Sequence, residues 1–271
     1  MIPCDIVNSK DPLEQVKSVL AVSWKITEAK GDETIDMSRL TWLTPFAALL
    51  LAHAVRSKSG KITIIPPKDE RVAGYLNAIG FPLGGKHTGS SYCPLHHFTG
   101  DPQDAITSIY DVLDKTFPDI LRGNVTKYVF AELCDNIQQH SQFTHGTLLA
   151  QYFPNMEYID IGVMDNGITI PGSYERHQIE VLSDASAIEQ AIQGVSTKLE
   201  KGRGHGLPSS FAIGTQELGG DVYILSRTGA LVHRSGATNL YKLENGGLLG
   251  TAVYFRFRLP KKKPNITPYL G

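Results

Sequence analysis

Apolar and polar positions alternate through 34–40 (TIDMSRL) and again through 61–65 (KITII), the period of two expected of strands. Between them lies 45–57 (PFAALLLAHAVRS), an apolar stretch with proline at its first turn, which predicts a helix. A second helical stretch, 71–79, ends at Gly80. Strand, helix, strand, helix in this order predicts a small α/β unit with a parallel strand pair and an aliphatic core, spanning 1–83. His53, surrounded by apolar residues in LLLAHAV, is expected to be a core or partly exposed helix histidine.

From 84 to 102 the periodicity stops. The segment GGKHTGSSYCPLHHFTGDP is rich in Gly, Ser, Pro and His, so the domain boundary is placed there, with 84–100 as a linker. Cys93, His96 and His97 could suggest a metal, but adjacent histidines splay apart and no second ligand cluster completes a site.

Beyond the linker, 101–119 and 124–142 read as helices, and 146–153 and 157–164 as an antiparallel strand pair. A polar segment from 172 to 203 contains a helical stretch, 185–193. Gly206 then opens a helix to about Leu218, and strands at 221–227, 230–234 and 251–259 complete a sheet. The fold class is therefore α/β, with a small N-terminal unit followed by a larger one at 101–271.

Composition adds limits. The 271 residues carry 26 Lys+Arg against 27 Asp+Glu, a formal net charge of −1, and 41% are hydrophobic, as in ordinary globular proteins. No global field attracts a polyanion, and the run Lys261–Lys263 is too short to suggest one. Nucleic acid and membrane are thus not expected partners. Three scattered cysteines argue against a disulfide framework. The longest apolar stretch, 45–55, falls short of the roughly 20 residues a bilayer needs, and the first residues lack a basic region followed by an apolar core, so a cytoplasmic location is expected.

Three segments carry candidate chemistry. In FAELCDNIQQHS, Val125, Val129, Phe130, Leu133 and Ile137 form an apolar stripe into which Asn136 and His140 fall, with Glu132 one turn before Asn136 at its edge. Polar groups on a core-facing stripe need a ligand, an ion or a network. In the strand MEYIDIGVMDNG, alternation places Ile159, Ile161, Val163 and then Asp165 on one face, so a carboxylate points inward as the strand ends, and Gly167 lets the backbone pass close to a ligand. In KGRGHGLPSS, Gly202, Gly204 and Gly206 alternate just before a helix, a plausible phosphate cradle that fits neither the dinucleotide fingerprint nor a P-loop.

In order, Glu132-x-x-x-Asn136, Asp165-Asn166-Gly167, Gly202-x-Gly204-x-Gly206-Leu207 and finally Gly250-Thr251 resemble the motifs of the GHKL ATPase superfamily. That superfamily includes histidine kinases, anti-sigma-factor kinases, gyrase B and large heat-shock chaperones. The resemblance implies a two-layer sandwich, a mainly antiparallel mixed sheet with helices on one face, binding ATP and Mg²⁺. It implies that Asp165 accepts from the adenine amino group with Thr251 nearby, that Asn136 coordinates Mg²⁺, and that Glu132 activates a water. Asn136, His140, Asp165, Gly167, Lys198, Gly202, Arg203, Gly204, His205, Gly206, Leu207 and Thr251 become the expected nucleotide contacts, and the segment before the glycines a lid. Lys201 is a further candidate for phosphate. Two positions depart from the pattern: Thr169 stands where a second glycine is usual, and Pro208 follows Leu207.

The N-terminal stretch from 34 to 81 resembles the central part of STAS domains, in which a serine at a helix start accepts phosphate. Thr44-Pro45-Phe46 stands there instead. Taken together, the resemblances imply a regulatory Mg·ATP-binding protein with slow hydrolysis, working through a protein partner. The alternatives are an anti-sigma-type Ser/Thr protein kinase and a non-hydrolysing ATP-responsive binding module, such as an antitoxin or defence component.

Overall fold

The computed structural model describes residues 1–84, 92–116, 125–195, 206–244, 247–258 and 264–269. It opens with a β-α repeat: β1 (Ile2–Pro3), α1 (Pro12–Glu28), β2 (Glu33–Asp36), α2 (Pro45–Ser57), β3 (Ile62–Ile65) and α3 (Glu70–Ala78). The three strands form a parallel sheet in the order β1-β2-β3. The parallel pair expected from sequence is β2 with β3. The chain precedes it with a strand and a helix that the periodicity reading passed over. Asp11 starts that helix by accepting from the Leu13 N–H, with proline at the first position, and Val16, Val19, Leu20 and Ile26 then pack inward.

The larger sheet has seven antiparallel strands: β4 (Tyr92–Phe98), β5 (Gly146–Phe153), β6 (Tyr158–Asp165), β7 (Asp221–Arg227), β8 (Gly229–Arg234), β9 (Ala237–Lys242) and β10 (Leu248–Arg258). Their order is β4-β5-β6-β10-β7-β8-β9. The segment 92–98, expected to be linker, is thus an edge strand, with Cys93 and Phe98 packed in the core. The sequence misled here because a bulge between Cys93 and His96 breaks the period of two.

The helices α4 (Gln103–Thr116), α5 (Val125–Asn136), α6 (Ile170–Arg176), α7 (Asp184–Ile192) and α8 (Gly206–Ala212) follow in chain order. Both faces of the seven-stranded sheet are covered, not one. On the first, Leu149, Met164, Tyr223, Leu225, Ala252 and Tyr254 share a core with α1, α2, α3 and the inner face of the small sheet. On the second, Leu148, Ile161, Val163, Val222, Ile224 and Phe255 pack with residues of α4, α5 and α7. The order of layers is small sheet, helices, large sheet, helices.

This arrangement explains the composition of α2. Every residue from Pro45 to Val55 is buried, because sheets lie on both sides of the helix, and a helix apolar on all sides must be covered on all sides. Gly162 on β6 makes room for it: a Cβ there would lie 2.6 Å from Leu49. The N-terminal unit therefore shares one hydrophobic core with the rest of the chain. His53 is buried, and its Nδ1 lies 3.0 Å from Thr147 Oγ1 on β5.

Candidate functional site

On the second face, the strand parity of β6, β10 and β7 places Asp165, Thr251 and Ser226 side by side. Thr251 is paired in register with Asp165 on one side and with Ser226 on the other. The alternation read from MEYIDIGVMD holds: Asp165 follows Val163 inward and is 2% exposed. Its carboxylate accepts from the Gly167 N–H at 2.8 Å. Burial raises its pKa to about 7, against the lowering effect of hydrogen bonds from the Gly167 backbone and the Ser141 side chain.

Glycines set the close approaches around it. A Cβ at Gly167 would lie 2.0 Å from the Ser141 carbonyl, which accepts the Ile168 N–H at 2.5 Å. Gly250, at φ +105°, would bring a Cβ to 1.8 Å from the Asp165 carbonyl. Neither position has space for a side chain, so the strand ends and the turn after Asp165 form one tightly laid backbone shelf.

The helix carrying Asn136 does not continue to 142 as a regular α-helix. After α5 the turn Ile137–Ser141 widens into a π-helical segment and ends at Gln142 with a left-handed φ of 49°. Both Asn136 and Ser141, five residues apart, thereby line one cavity of about 130 Å³. The cavity is also lined by Leu133, Ile137, Val163, Asp165, Ile168, Thr169, Tyr174, Val195, Gly206, Leu207, Thr251 and Val253. Asp165 is the only acid and no Lys or Arg is among the described residues that line it.

Asn136 and Gly206 meet directly. A Cβ at 206 would lie 2.6 Å from Asn136 Oδ1, and Asn136 Nδ2 is buried without a hydrogen-bond partner among the described residues. A buried polar atom left open at the wall of a cavity is the pattern expected of a ligand site. Thr169, the departure from a glycine, caps α6: its hydroxyl accepts from the Gly172 N–H at 3.0 Å. Pro208 sits in the first turn of α8, where its missing N–H costs nothing.

Of the expected contacts, the structure thus brings together Asn136, Asp165, Gly167, Gly206, Leu207 and Thr251. Lys198, Lys201, Gly202, Arg203, Gly204 and His205 lie outside the described residues, as does the side chain of His140. Glu132 does not line the cavity. Tyr128 lies within hydrogen-bond reach of it and of Ser209. The phenol pKa is raised by burial first and by the Glu132 charge second. Ser141 and Ser226 were missed from sequence. A signal existed for Ser226: it sits where the apolar alternation of Val222 and Ile224 should continue, as Asp165 does on β6.

Compared with protein-family models, curated proteins and solved structures, the chain matches none of them. Its site stands on its own residues. Among the described residues no helix is long and apolar enough to cross a membrane, and no cluster of three or more His, Cys, Asp or Glu could hold a metal by itself.

Proposed function

We propose that this chain is a GHKL-type Mg·ATP-binding regulatory protein whose base site is the Asp165–Thr251 strand end. The observation that carries the reading is convergence. Asn136, Asp165, Gly206 and Thr251 come from four elements spread over more than a hundred residues and open onto one cavity. Its apolar walls and single carboxylate suit a flat heterocycle bearing an amino group better than they suit a charged ligand.

The described part of the cavity is the base end. The triphosphate would extend past Asn136 and Gly206, toward the positions Lys198 to His205 that the sequence assigns to it. Mg²⁺ is compatible with this donor set. It keeps several waters and takes few protein oxygens beside those of phosphates, so one Asn136 oxygen suffices, with Gly206 leaving room beside it, while the open Asn136 Nδ2, a donor, suits a phosphate oxygen. Bound there, the ion would neutralise phosphate charge.

The N-terminal unit, STAS-like in its parallel β-α order, acts in this reading as a fixed support. Thr44 is buried, its hydroxyl accepts from the Ala47 N–H at 3.3 Å, and it offers no acceptor for phosphate in this packing. The position of Glu132 favours a second reading at the chemical step, in which nucleotide is bound without turnover. A base for water needs its carboxylate free to take a proton, and Glu132 accepts a hydrogen bond from the Tyr128 hydroxyl.

Calorimetric titration of the wild type and Asp165→Ala with Mg·ATP tests the proposal. Binding by the wild type that is lost in the variant supports it, and equal binding by both removes Asp165 from the site. Phosphate release on the same samples separates an ATPase from a binding module. Incubation with labelled ATP and candidate partner proteins reveals a kinase by stable label on protein.

A further inference from the structure

We propose that Ser226 fixes the Thr251 hydroxyl as a hydrogen-bond donor, so that Asp165 and Thr251 together read a ring edge in which an amino group adjoins a bare ring nitrogen. The inference rests on the nucleotide reading above and assigns a positioning residue to it.

Proton accounting carries it. Ser226 is fully buried. Its Oγ accepts the Ile170 N–H at 2.9 Å and lies 2.8 Å from Thr251 Oγ1. A serine hydroxyl has one proton and two lone pairs. If Thr251 donated to Ser226, the Ser226 proton would have no acceptor among the described residues, and an unmade hydrogen bond in a buried place is costly. If Ser226 donates to Thr251, every group is satisfied: Ile170 gives its N–H to Ser226, Ser226 gives its proton to Thr251, and the Thr251 proton is left to face the cavity that Thr251 lines.

The neighbour completes the pattern. Asp165 stands opposite Thr251 in register, and at pH 8, where its carboxylate is ionised, it can only accept. Acceptor beside donor matches an amino group beside an unprotonated ring nitrogen, as in adenine. It mismatches a carbonyl beside a ring N–H, as in hypoxanthine, at both positions. The discrimination thus depends on which way one hydroxyl points, and Ser226 decides that from beneath the cavity floor.

The test is the ratio of affinities for ATP and ITP, measured by calorimetry at pH 8 on wild type, Ser226→Ala, Thr251→Val and the double variant. Thermal melts of the same samples verify folding. Two mismatched hydrogen bonds predict that the wild type favours ATP by about 100-fold. With alanine at 226 the Thr251 hydroxyl turns freely and offers either proton or lone pair, so the preference falls to about tenfold, while in the Thr251→Val background the same change leaves the ratio as it was. Were Ser226 only a tie for Ile170, its loss would act equally with Val or Thr at 251, and that outcome overturns the proposal. So does an unchanged ratio in Ser226→Ala. Ser226→Cys, a weaker donor of similar size, provides a second variant and is expected to fall between. A wild type that binds neither nucleotide overturns the nucleotide reading itself, a result distinct from binding without the Ser226 effect.

Discussion

The two faces of the seven-stranded sheet are both lined by apolar side chains but place their polar groups differently. On the face toward α2 the aromatic packing is close: Phe46 stacks on Tyr254 with ring centroids 4.5 Å apart and lies 5.8 Å from Tyr223. His53 Nδ1 and His97 Nδ1 each lie 3.0 Å from the Thr147 hydroxyl, and His53 Nε2 and the Tyr223 hydroxyl are buried with no partner among the described residues. On the opposite face the polar groups Asn136, Asp165, Ser141 and Thr251 gather at a cavity, with one amide nitrogen left open. The first pattern holds two parts of a chain together. The second leaves capacity for something else, and paying for a buried carboxylate there makes sense only if a ligand recovers the cost.

Substitutions on each face should separate stability from binding. The largest expected effect is Phe46→Ala, which removes a fully buried ring and should cost about 3–5 kcal/mol of stability. Because Phe46 lies on the opposite face of the sheet and does not line the cavity, nucleotide affinity of the folded fraction should stay within about twofold. Denaturant melts and calorimetry on one preparation check both halves. A variant that melts as the wild type does would break the claim that the N-terminal unit shares the core.

Asp165→Asn should do the reverse. The folded-state pKa of Asp165, about 7, exceeds the ordinary value of 3.8, so between these values the folded protein holds a proton that the unfolded chain has lost. Stability contributed by that proton is full at low pH and is lost as pH rises through about 7. Above pH 7 the ionised carboxylate is a burden that asparagine relieves. The variant should melt several degrees higher at pH 8, with little gain at pH 5, and should bind ATP at least about tenfold more weakly because an acceptor has become partly a donor. Equal melting at both pH values would show that the carboxylate is not strained.

Much of the second face was legible in sequence, because it follows period-two patterning with polar exceptions. Asp165 at the end of an apolar alternation and Asn136 on an apolar stripe are local signals, and the chain brought both to one cavity. What escaped the sequence depends on long-range contact or broken periods. The edge strand 92–98 is hidden by its bulge and by Pro94, His96 and His97, which give it a loop-like composition. The shared core could not be seen, since the apolar run of α2 fits a helix covered by one sheet as well as by two. The surroundings of Glu132 were hidden for a related reason: its spacing from Asn136 stacks the two along the helix, but only the tertiary packing places Tyr128 beside it.

A smaller effect concerns the face toward α2. Burial pushes the pKa of His53 well below its ordinary value of 6.5, with His145 and His97 adding like charge, and His97 and His145 are lowered as well, chiefly by burial. His145 also faces Ser57 at 2.7 Å, and Arg56 adds positive charge to His97 and His145. These groups stay neutral in the folded protein where the unfolded chain would take protons. Their contribution is therefore present above pH 6.5 and lost as pH falls below it. Measured by chemical denaturation in an Asp165→Asn background, which removes the opposing carboxyl, stability should be lower at pH 5.5 than at pH 7.5, and adding His53→Gln should reduce that difference. An identical acid loss in the variant would assign it to other groups.

The smallest expected effect is that of Glu132→Gln on nucleotide affinity, and it bears most on what the cavity is for. The side chain is off the cavity wall, so removing its charge should change the affinity for Mg·ATP by less than about twofold, or roughly 0.4 kcal/mol. Its effect on phosphate release then divides the two readings. If bound nucleotide reshapes α5 enough to turn Glu132 from Tyr128 toward the phosphates, release should drop below detection in the variant while binding persists. If wild type and variant release phosphate at the same negligible rate, Glu132 is held by Tyr128 in the bound state too, and the nucleotide acts as a ligand that is kept.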